Sequence, residues 1–410
     1  MKKLKLVMIG NGMAGVRTLE ELIKLAPDLY DITVFGAEPH PNYNRILLSP
    51  VLAGEQTFEE IVLNDLNWYA DNGIKLLLGR KVVKIDRKAR LVVADDGSEA
   101  EYDRLLIATG SNPFILPIPG KDLAGVIGYR DIADTQMMME TAKTHKHAVV
   151  IGGGLLGLEA ANGLKLRGMD VTVVHLGDWL LERQLDATAG RLLQQSLEDR
   201  GLKFLLPKLT AELLDNGEGR VCAVKFKDGE VIPADLVVMA AGIRPNSELA
   251  ESAGIACNRG ILVNDTLQTY DPRIYAVGEC VQHRGALFGL VAPLYEQAKV
   301  CANHLAGMGI GRFVQKPTAT TLKVSGVELF SAGDFNHAEA DILVFRDPAR
   351  GIYKKLCLHE GRLVGAVLYG DAREGPWYFD LIRAGSDVSA WRDQLMFGKV
   401  VEGVDNAIAA

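Results

Sequence analysis

One glycine pattern occurs twice in this chain, and it limits the possible folds more than any other feature. Leu4 to Ile9 is a short apolar run, followed by Gly10-Asn11-Gly12-Met13-Ala14-Gly15 and a helical stretch to about Lys24. A second apolar run, Asp31 to Phe35, ends near Glu38. The plan then repeats: Ala148 to Ile151, Gly152-Gly153-Gly154-Leu155-Leu156-Gly157, a helical stretch to about Arg167, and Val171 to Val174 ending at His175. Each loop reads G-x-G-x-x-G with a strand before it and a helix after it. A duplicated βαβ unit implies parallel sheets with helices on their faces. The expected class is α/β, with two Rossmann-like domains of three-layer ββα character and a small C-terminal α+β domain.

The stretches between and after the repeats fit that plan. Lys81 to Ile85 and Arg90 to Val93 alternate like a hairpin, with Asp95-Asp96-Gly97 as the next turn. Leu105 to Ala108 reads as a fully buried strand closed by Thr109-Gly110, and Val237 to Ala241 before Gly242 repeats it in the second unit. Pro113, Pro117, Pro119 and Gly120 mark a linker. After about Val314, four strands are expected: Thr320 to Val324, Asp341 to Phe345, Lys354 to His359 and Leu363 to Tyr369. The expected division is 1–113 with 244–314, 114–243, and 315–410.

Composition narrows the function classes. The 410 residues carry 45 basic and 52 acidic side chains, a formal charge of −7, which disfavours nucleic acid or an anionic membrane as the main partner. No apolar run approaches the ~18 residues of a membrane helix. The start, Met1-Lys2-Lys3 before Leu4 to Ile9, is too short to be a signal peptide and reads as the first strand, so a cytoplasmic location is expected. Cys222, Cys257, Cys280, Cys301 and Cys357 form neither C-x-x-C nor C-x₄-C. No iron–sulfur cluster, metal site or redox disulfide is expected, only reduced and mostly buried thiols.

The glycine loops carry the chemistry. Gly10 makes the tight turn, Gly12 lets the backbone approach a pyrophosphate, and Gly15 allows close helix–strand packing. The phosphate would sit at the helix N-terminus, where unpaired N–H groups and the dipole favour negative charge. Glu38 lies 38 − 15 = 23 residues after the last glycine, where a carboxylate meets adenosine ribose hydroxyls. These features alone do not separate FAD from NAD at the first loop. Gly152, Gly154 and Gly157 repeat the geometry. The second strand ends at His175 rather than an acid, which weakens the usual NAD signature, but no Arg or Lys lies between His175 and Leu181 to clamp a 2′-phosphate, so NADH is favoured over NADPH. Arg183 is the nearest candidate clamp for a 2′-phosphate. Glu159 is expected on the first helical turn, either as a helix-start carboxylate or, as in related flavoproteins that this stretch resembles, as a residue facing the nicotinamide–flavin junction. His283 and His304 are read as surface or core histidines rather than bases.

Several stretches resemble a known family. Tyr275-Ala276-Val277-Gly278-Glu279 resembles the second FAD fingerprint of two-dinucleotide flavoproteins, with Glu279 in place of the commoner Asp. Together with Tyr43-Asn44-Arg45-Ile46-Leu47-Leu48-Ser49, Glu182-Arg183-Gln184-Leu185-Asp186, Ala241-Gly242-Ile243-Arg244-Pro245-Asn246 and Gly289-Leu290-Val291-Ala292-Pro293-Leu294-Tyr295-Glu296-Gln297-Ala298, it makes nearly the whole chain similar to the pyridine nucleotide-disulfide oxidoreductase superfamily. More narrowly, it resembles the N-terminal flavoprotein half of NAD(P)H nitrite reductase large subunits.

The resemblance implies a split FAD domain, an inserted NAD(P)H domain and a C-terminal interface domain, with Gly289 to Gln297 near the isoalloxazine. It implies FAD contacts at Gly10, Gly12, Ala14, Gly15, Glu38, Arg45, Val82, Thr109, Gly110, Gly278 and Glu279. It implies NAD(P)H contacts at Gly152, Gly154, Leu155, Gly157, Glu159, His175 and Gly242. Those large subunits continue into cysteine-rich domains holding an iron–sulfur cluster and siroheme, which a chain ending at Ala410 would lack. Pro50 stands where ferredoxin- and rubredoxin-reductase relatives often carry a Lys that would pair with the acid matching Glu159. The Cys that peroxidase and coenzyme A-disulfide reductase relatives carry near Asn44 is absent, which disfavours thiolate chemistry. The expected activity is hydride transfer from NAD(P)H to FAD. The electrons would then pass to a separate redox protein: a nitrate or nitrite reductase component, a rubredoxin or a ferredoxin. A stand-alone NADH oxidase or small-molecule reductase is the alternative. A homodimer is also possible.

Overall fold

Two short apolar strands, β1 (Leu4–Ile9) and β2 (Tyr30–Gly36), flank helix α1 (Met13–Leu25) in a computed structural model that describes residues 3–324 and 326–399. Met1, Lys2 and Ala410 lie outside the described residues. From Leu6 to Ile9 every β1 side chain is buried, as a central parallel strand covered on both faces requires. Helix α1 buries Val16, Leu19 and Leu22, which recur at helical spacing on one face.

The chain divides into two compact units, one of residues 1–114, 130–136 and 242–315, the other of 115–129, 137–241 and 316–410. In the first unit, five parallel strands lie in the order Ile274–Ala276, Arg104–Ile107, β1, β2, Lys75–Leu78. A three-stranded antiparallel sheet of Val82–Asp86, Leu91–Ala94 and Glu99–Glu101 adds the third layer expected from the hairpin pattern.

The second unit repeats this architecture. Strand β3 (His147–Ile151), helix α2 (Leu155–Leu166) and strand β4 (Asp170–Val174) form its βαβ core. Its parallel sheet runs Val126–Ile127, Leu236–Met239, β3, β4, Lys203–Leu205, and a three-stranded antiparallel sheet spans Thr210 to Pro233. In both sheets the strand that enters the glycine loop is central, between its βαβ partner and a strand from much later in sequence. Ligands of open α/β sheets bind outside the carboxyl ends of the strands at such a reversal.

The C-terminal part of the second unit is a five-stranded antiparallel sheet, ordered Thr320–Val324, Val327–Gly333, Arg362–Tyr369, Ile352–His359, Asp341–Asp347. Helix Gly375–Ala384 packs on it. Four strands are legible in the sequence; the fifth, Val327–Gly333, is not. Its buried run ends in Ser331 and Ala332, small residues that carry little apolar signal. Asp186 joins this sheet to the preceding helix Ala187–Glu198. Its carboxylate caps that helix at Ala189 N (3.0 Å), accepts the Tyr353 hydroxyl at 2.6 Å and lies 3.6 Å from Lys355 Nζ.

Candidate dinucleotide sites

The two glycine loops have the same local geometry. Gly10 and Gly152 adopt φ of +101° and +131°, and a Cβ on either would strike a carbonyl oxygen of the adjacent late strand, Ala108 O at 2.2 Å or Ala240 O at 2.3 Å. No other residue type fits there. Gly15 and Gly157 close the helix onto the strand: a Cβ would stand 2.9 Å from Ala108 Cβ and 2.0 Å from Gly152 O respectively. Gly12 and Gly154 behave differently. Both are N-cap residues with φ/ψ of −84°/176° and −81°/176°, and a Cβ on either would meet no protein atom within 4 Å. Neither helix has a side-chain cap, so the first N–H groups of α1 and α2 face that open space without a side-chain acceptor. An uncapped helix terminus behind an open glycine fits a pyrophosphate.

In the first unit, a continuous polar network runs along the carboxyl ends of the sheet. Arg45 forms an ion pair with Glu38, lies over the Tyr43 ring and donates to Arg130 O at 3.1 Å. The Tyr43 hydroxyl donates to Glu38 at 2.7 Å, and burial pushes its pKa well above the usual range. Arg130 in turn pairs with Glu279, which also accepts the Ser111 hydroxyl at 2.8 Å. Gly278 adopts φ of +94°, and a Cβ there would lie 3.2 Å from Ala14 Cβ, so the second fingerprint abuts the first glycine loop. The Gly278 N–H donates to Gln297 Oε1 at 2.8 Å. Gln297, on helix α3 (Val291–Leu305), is fully buried, and its Nε2 has no hydrogen-bond partner. A buried orphan donor is rare in a native protein.

The structure therefore brings Gly10, Gly12, Ala14, Gly15, Glu38, Arg45, Gly278 and Glu279 to one edge. Thr109 and Gly110 join them: the Thr109 hydroxyl donates to Asn246 O at 2.7 Å, and a Cβ on Gly110 would lie 3.4 Å from Arg130 Nη2. Val82 instead sits buried in the hairpin, paired with Ala94. The Gly242 carbonyl accepts from Phe114 N at 2.9 Å, beside the strand pair Ser111–Pro113 and Ile243–Pro245. Arg130 and Ser111 were not legible as site residues. Their roles come from contacts with residues 149 and 168 positions away.

In the second unit, Leu155 opens helix α2, and the His175 Nδ1 accepts the Gly153 N–H at 3.1 Å. Glu159 is the fifth residue of α2, so it stands in the second turn and not the first. The glycine loop takes up the preceding turn, which moves Glu159 beyond the orphan N–H groups. His283 is buried against Asp265 (2.9 Å) and Phe313, while His304 Nε2 bonds Gly311 O at 2.6 Å. Among the described residues, no group of three or more His, Cys, Asp or Glu side chains could hold a metal ion. No helix there is long and apolar enough to cross a membrane.

Residues 4–304 match the family described as pyridine nucleotide-disulphide oxidoreductase. The chain belongs to the pyridine nucleotide-disulphide oxidoreductase family. Residues 318–386 match the rubredoxin NAD+ reductase C-terminal domain. Among curated proteins, it is 56% identical over 391 residues to a nitrite reductase [NAD(P)H] of Bacillus subtilis (strain 168), covering 95% of this chain and 48% of that one. It is 47% identical over 397 residues to an assimilatory nitrate reductase electron transfer subunit of the same organism, covering 97% of this chain and 51% of the other. The chain thus spans about half the length of these curated relatives. Among solved structures, it resembles one titled as the covalent putidaredoxin reductase–putidaredoxin complex, with 27% identity, a TM-score of 0.84 and 94% of each chain covered.

Proposed function

We propose that this oxidoreductase takes electrons from NAD(P)H, with NADH preferred, and passes them through FAD to a separate redox protein in nitrate or nitrite assimilation. The observation that carries this reading is the pair of matched cradles, each an open glycine before an uncapped helix. The names of the nitrate reductase electron transfer subunit and of the putidaredoxin reductase complex support a protein acceptor.

In this reading, the first unit holds FAD and the helix-flanked part of the second holds the nicotinamide dinucleotide, with residues from about 315 as an interface domain. The helix α1 N–H groups and Gly12 receive the pyrophosphate. Glu38 accepts adenosine ribose hydroxyls while Arg45 and Tyr43 hold its carboxylate in place. Glu279 accepts ribityl hydroxyls, oriented by Ser111 and Arg130. When bound, FAD accepts a hydride and releases its electrons to the next carrier. The protein positions the groups and supplies the charges around them. A homodimer in the cytoplasm completes the proposal, and sedimentation of the purified protein tests the first part of it.

Anaerobic stopped-flow on the FAD-loaded protein tests the acceptor. NADH should bleach the flavin absorbance, and a rubredoxin, ferredoxin or nitrite-reducing component should restore it within turnover time. Restoration by air alone, faster than by any protein carrier, would overturn the reading in favour of an oxidase.

A further inference from the structure

His175 is the first residue after strand β4, where dinucleotide-binding βαβ units place an acid for the adenosine ribose. The structure shows what occupies that space. His175 Nδ1 accepts the Gly153 N–H at 3.1 Å, so the hydrogen of the neutral ring is on Nε2. A Cβ on Gly153 would stand 2.8 Å from His175 Cγ, which places the ring directly against the phosphate-binding loop. His175 Nε2 is buried without a hydrogen-bond partner, and Glu182 Oε2 lies 3.8 Å from it. A Cβ on Gly177, two residues past His175, would lie 2.0 Å from Glu182 Oε2 and 2.8 Å from His175 Nε2. The Glu182 carboxylate is therefore folded back over the start of the loop that follows β4.

The backbone holds it there. Leu181, buried and with φ of +54°, donates its N–H to Gly153 O at 3.1 Å, and Leu185 N returns to Leu181 O at 2.8 Å. Trp179 Nε1 donates to Leu185 O at 3.0 Å, which closes the loop on itself. Glu182 is thus one residue from a hydrogen bond to the glycine loop, and its side chain remains 49% exposed and accessible to a ligand.

We infer that Glu182 supplies the carboxylate that the strand end lacks. It accepts the adenosine ribose hydroxyls of the incoming dinucleotide and rejects a 2′-phosphate, making it the specificity residue of the second cradle. This rests on the proposal that the second cradle takes NADH. A carboxylate accepts hydroxyl donors well, and a 2′-phosphate brings about −1.5 to −2 charge and only acceptors at neutral pH. The neighbouring cation does not offset this: the Lys208 N–H donates to His175 O at 2.8 Å, but its ammonium is engaged by Asp228 and Glu230. Arg183, exposed and next in the chain, is the rival determinant.

The test uses the FAD-loaded protein and two redox-inert probes, ADP-ribose and 2′-phospho-ADP-ribose, titrated calorimetrically. Glu182→Gln, which keeps the shape and removes the charge, should weaken ADP-ribose and strengthen the phosphorylated probe. Their affinity ratio should fall about tenfold or more, the scale of one charge-assisted hydrogen bond. Glu182→Ala should move the ratio the same way, and FAD content should stay that of the wild type in both. A ratio that moves less than twofold in both variants overturns the assignment. So does a ratio that collapses only in Arg183→Ala. A wild type that prefers the phosphorylated probe sinks the NADH reading, yet a ratio that still falls on Glu182→Gln upholds the role of Glu182.

Discussion

Gly12→Ala separates what the first cradle does for the fold from what it does for the cofactor. A Cβ at Gly12 meets no protein atom within 4 Å, and the backbone there is extended at φ −84°, which alanine adopts without strain. Two small effects act on the apo protein. Removing glycine from the unfolded chain stabilises by about 0.4–1 kcal/mol, and losing it at an N-cap costs up to about 1 kcal/mol. They offset, so the melting temperature of the apo protein should stay within about 3 °C of wild type. The cofactor meets the opposite situation. The new methyl occupies the space through which a pyrophosphate reaches the N–H groups of α1. Losing one or two charge-assisted hydrogen bonds costs about 1.5–3 kcal/mol each, so FAD affinity should fall at least tenfold. Gly10→Ala serves as the contrast. Its φ of +101° and a Cβ 2.2 Å from Ala108 O predict several kcal/mol of lost stability even without cofactor. The assay is equilibrium dialysis of FAD with flavin absorbance, beside thermal unfolding of each apo variant. Wild-type FAD binding by Gly12→Ala would refute the reasoning. Loss of FAD on Gly154→Ala with retention on Gly12→Ala would show that the two cradles had been assigned in reverse.

Other expectations follow from individual contacts. Asp186→Ala removes a helix cap and leaves the buried Tyr353 hydroxyl without its acceptor, so the second unit should lose about 3 kcal/mol in urea unfolding; Tyr353→Phe should lose about 1 kcal/mol. Arg373, with Lys354 beside it, holds the Asp371 carboxyl well below its ordinary value of 3.8. A depressed folded-state pKa adds stability above the ordinary value and loses it as pH falls through the folded value. Urea midpoints should therefore drop below about pH 4 in the wild type, and this acid slope should flatten in Asp371→Asn. Burial pushes the Cys257 thiol up to about 11 and the Cys301 thiol higher still, whereas Cys222 is exposed. Titration of the native protein with a disulfide reagent near pH 8 should show one fast thiol, lost in Cys222→Ser. A second fast thiol would show that the buried ones open readily.

The parts of the molecule legible in the sequence are those whose physics is local. Gly10, Gly12 and Gly15 each answer a constraint set within a few residues: a turn, an open approach and a tight packing contact. Their spacing therefore reports the cradle before any fold is known, and the βαβ pattern around them reports the sheet. Glu38 was legible for the same reason, at the end of the next strand. The hidden parts depend on distant contacts. Arg130 has no motif of its own, and it matters only because folding brings it against Glu279, 149 positions later. Gln297 entered only through the resemblance, at the end of the stretch Gly289 to Gln297, and its sequence does not show that its amide is buried with one half bonded to Gly278 and the other half orphaned. The strand Val327–Gly333 was missed because its alternation breaks after Leu329, where Phe330, Ser331 and Ala332 are buried in succession.

His175 shows why the boundary falls there. A sequence rule looks for an acid at the last residue of the second strand, because in an undistorted βαβ unit that residue alone reaches the ribose. Here an imidazole packs under the glycine loop at that point, and Leu181 pins the following segment to Gly153. The chain turns back, and a carboxylate seven residues later arrives beside the imidazole, 3.8 Å from Nε2. A ligand responds to where negative charge stands in space and not to its position in the chain. The lack of an acid at His175 therefore gives no reason to expect NADPH, provided that the backbone bond between Leu181 and Gly153 holds. That bond makes Leu181→Pro informative: proline removes the N–H and cannot adopt the φ of +54° that Leu181 holds, so both effects should release Glu182, and the preference between ADP-ribose and its 2′-phosphate should fall as far as it does in Glu182→Gln although the carboxylate is still present.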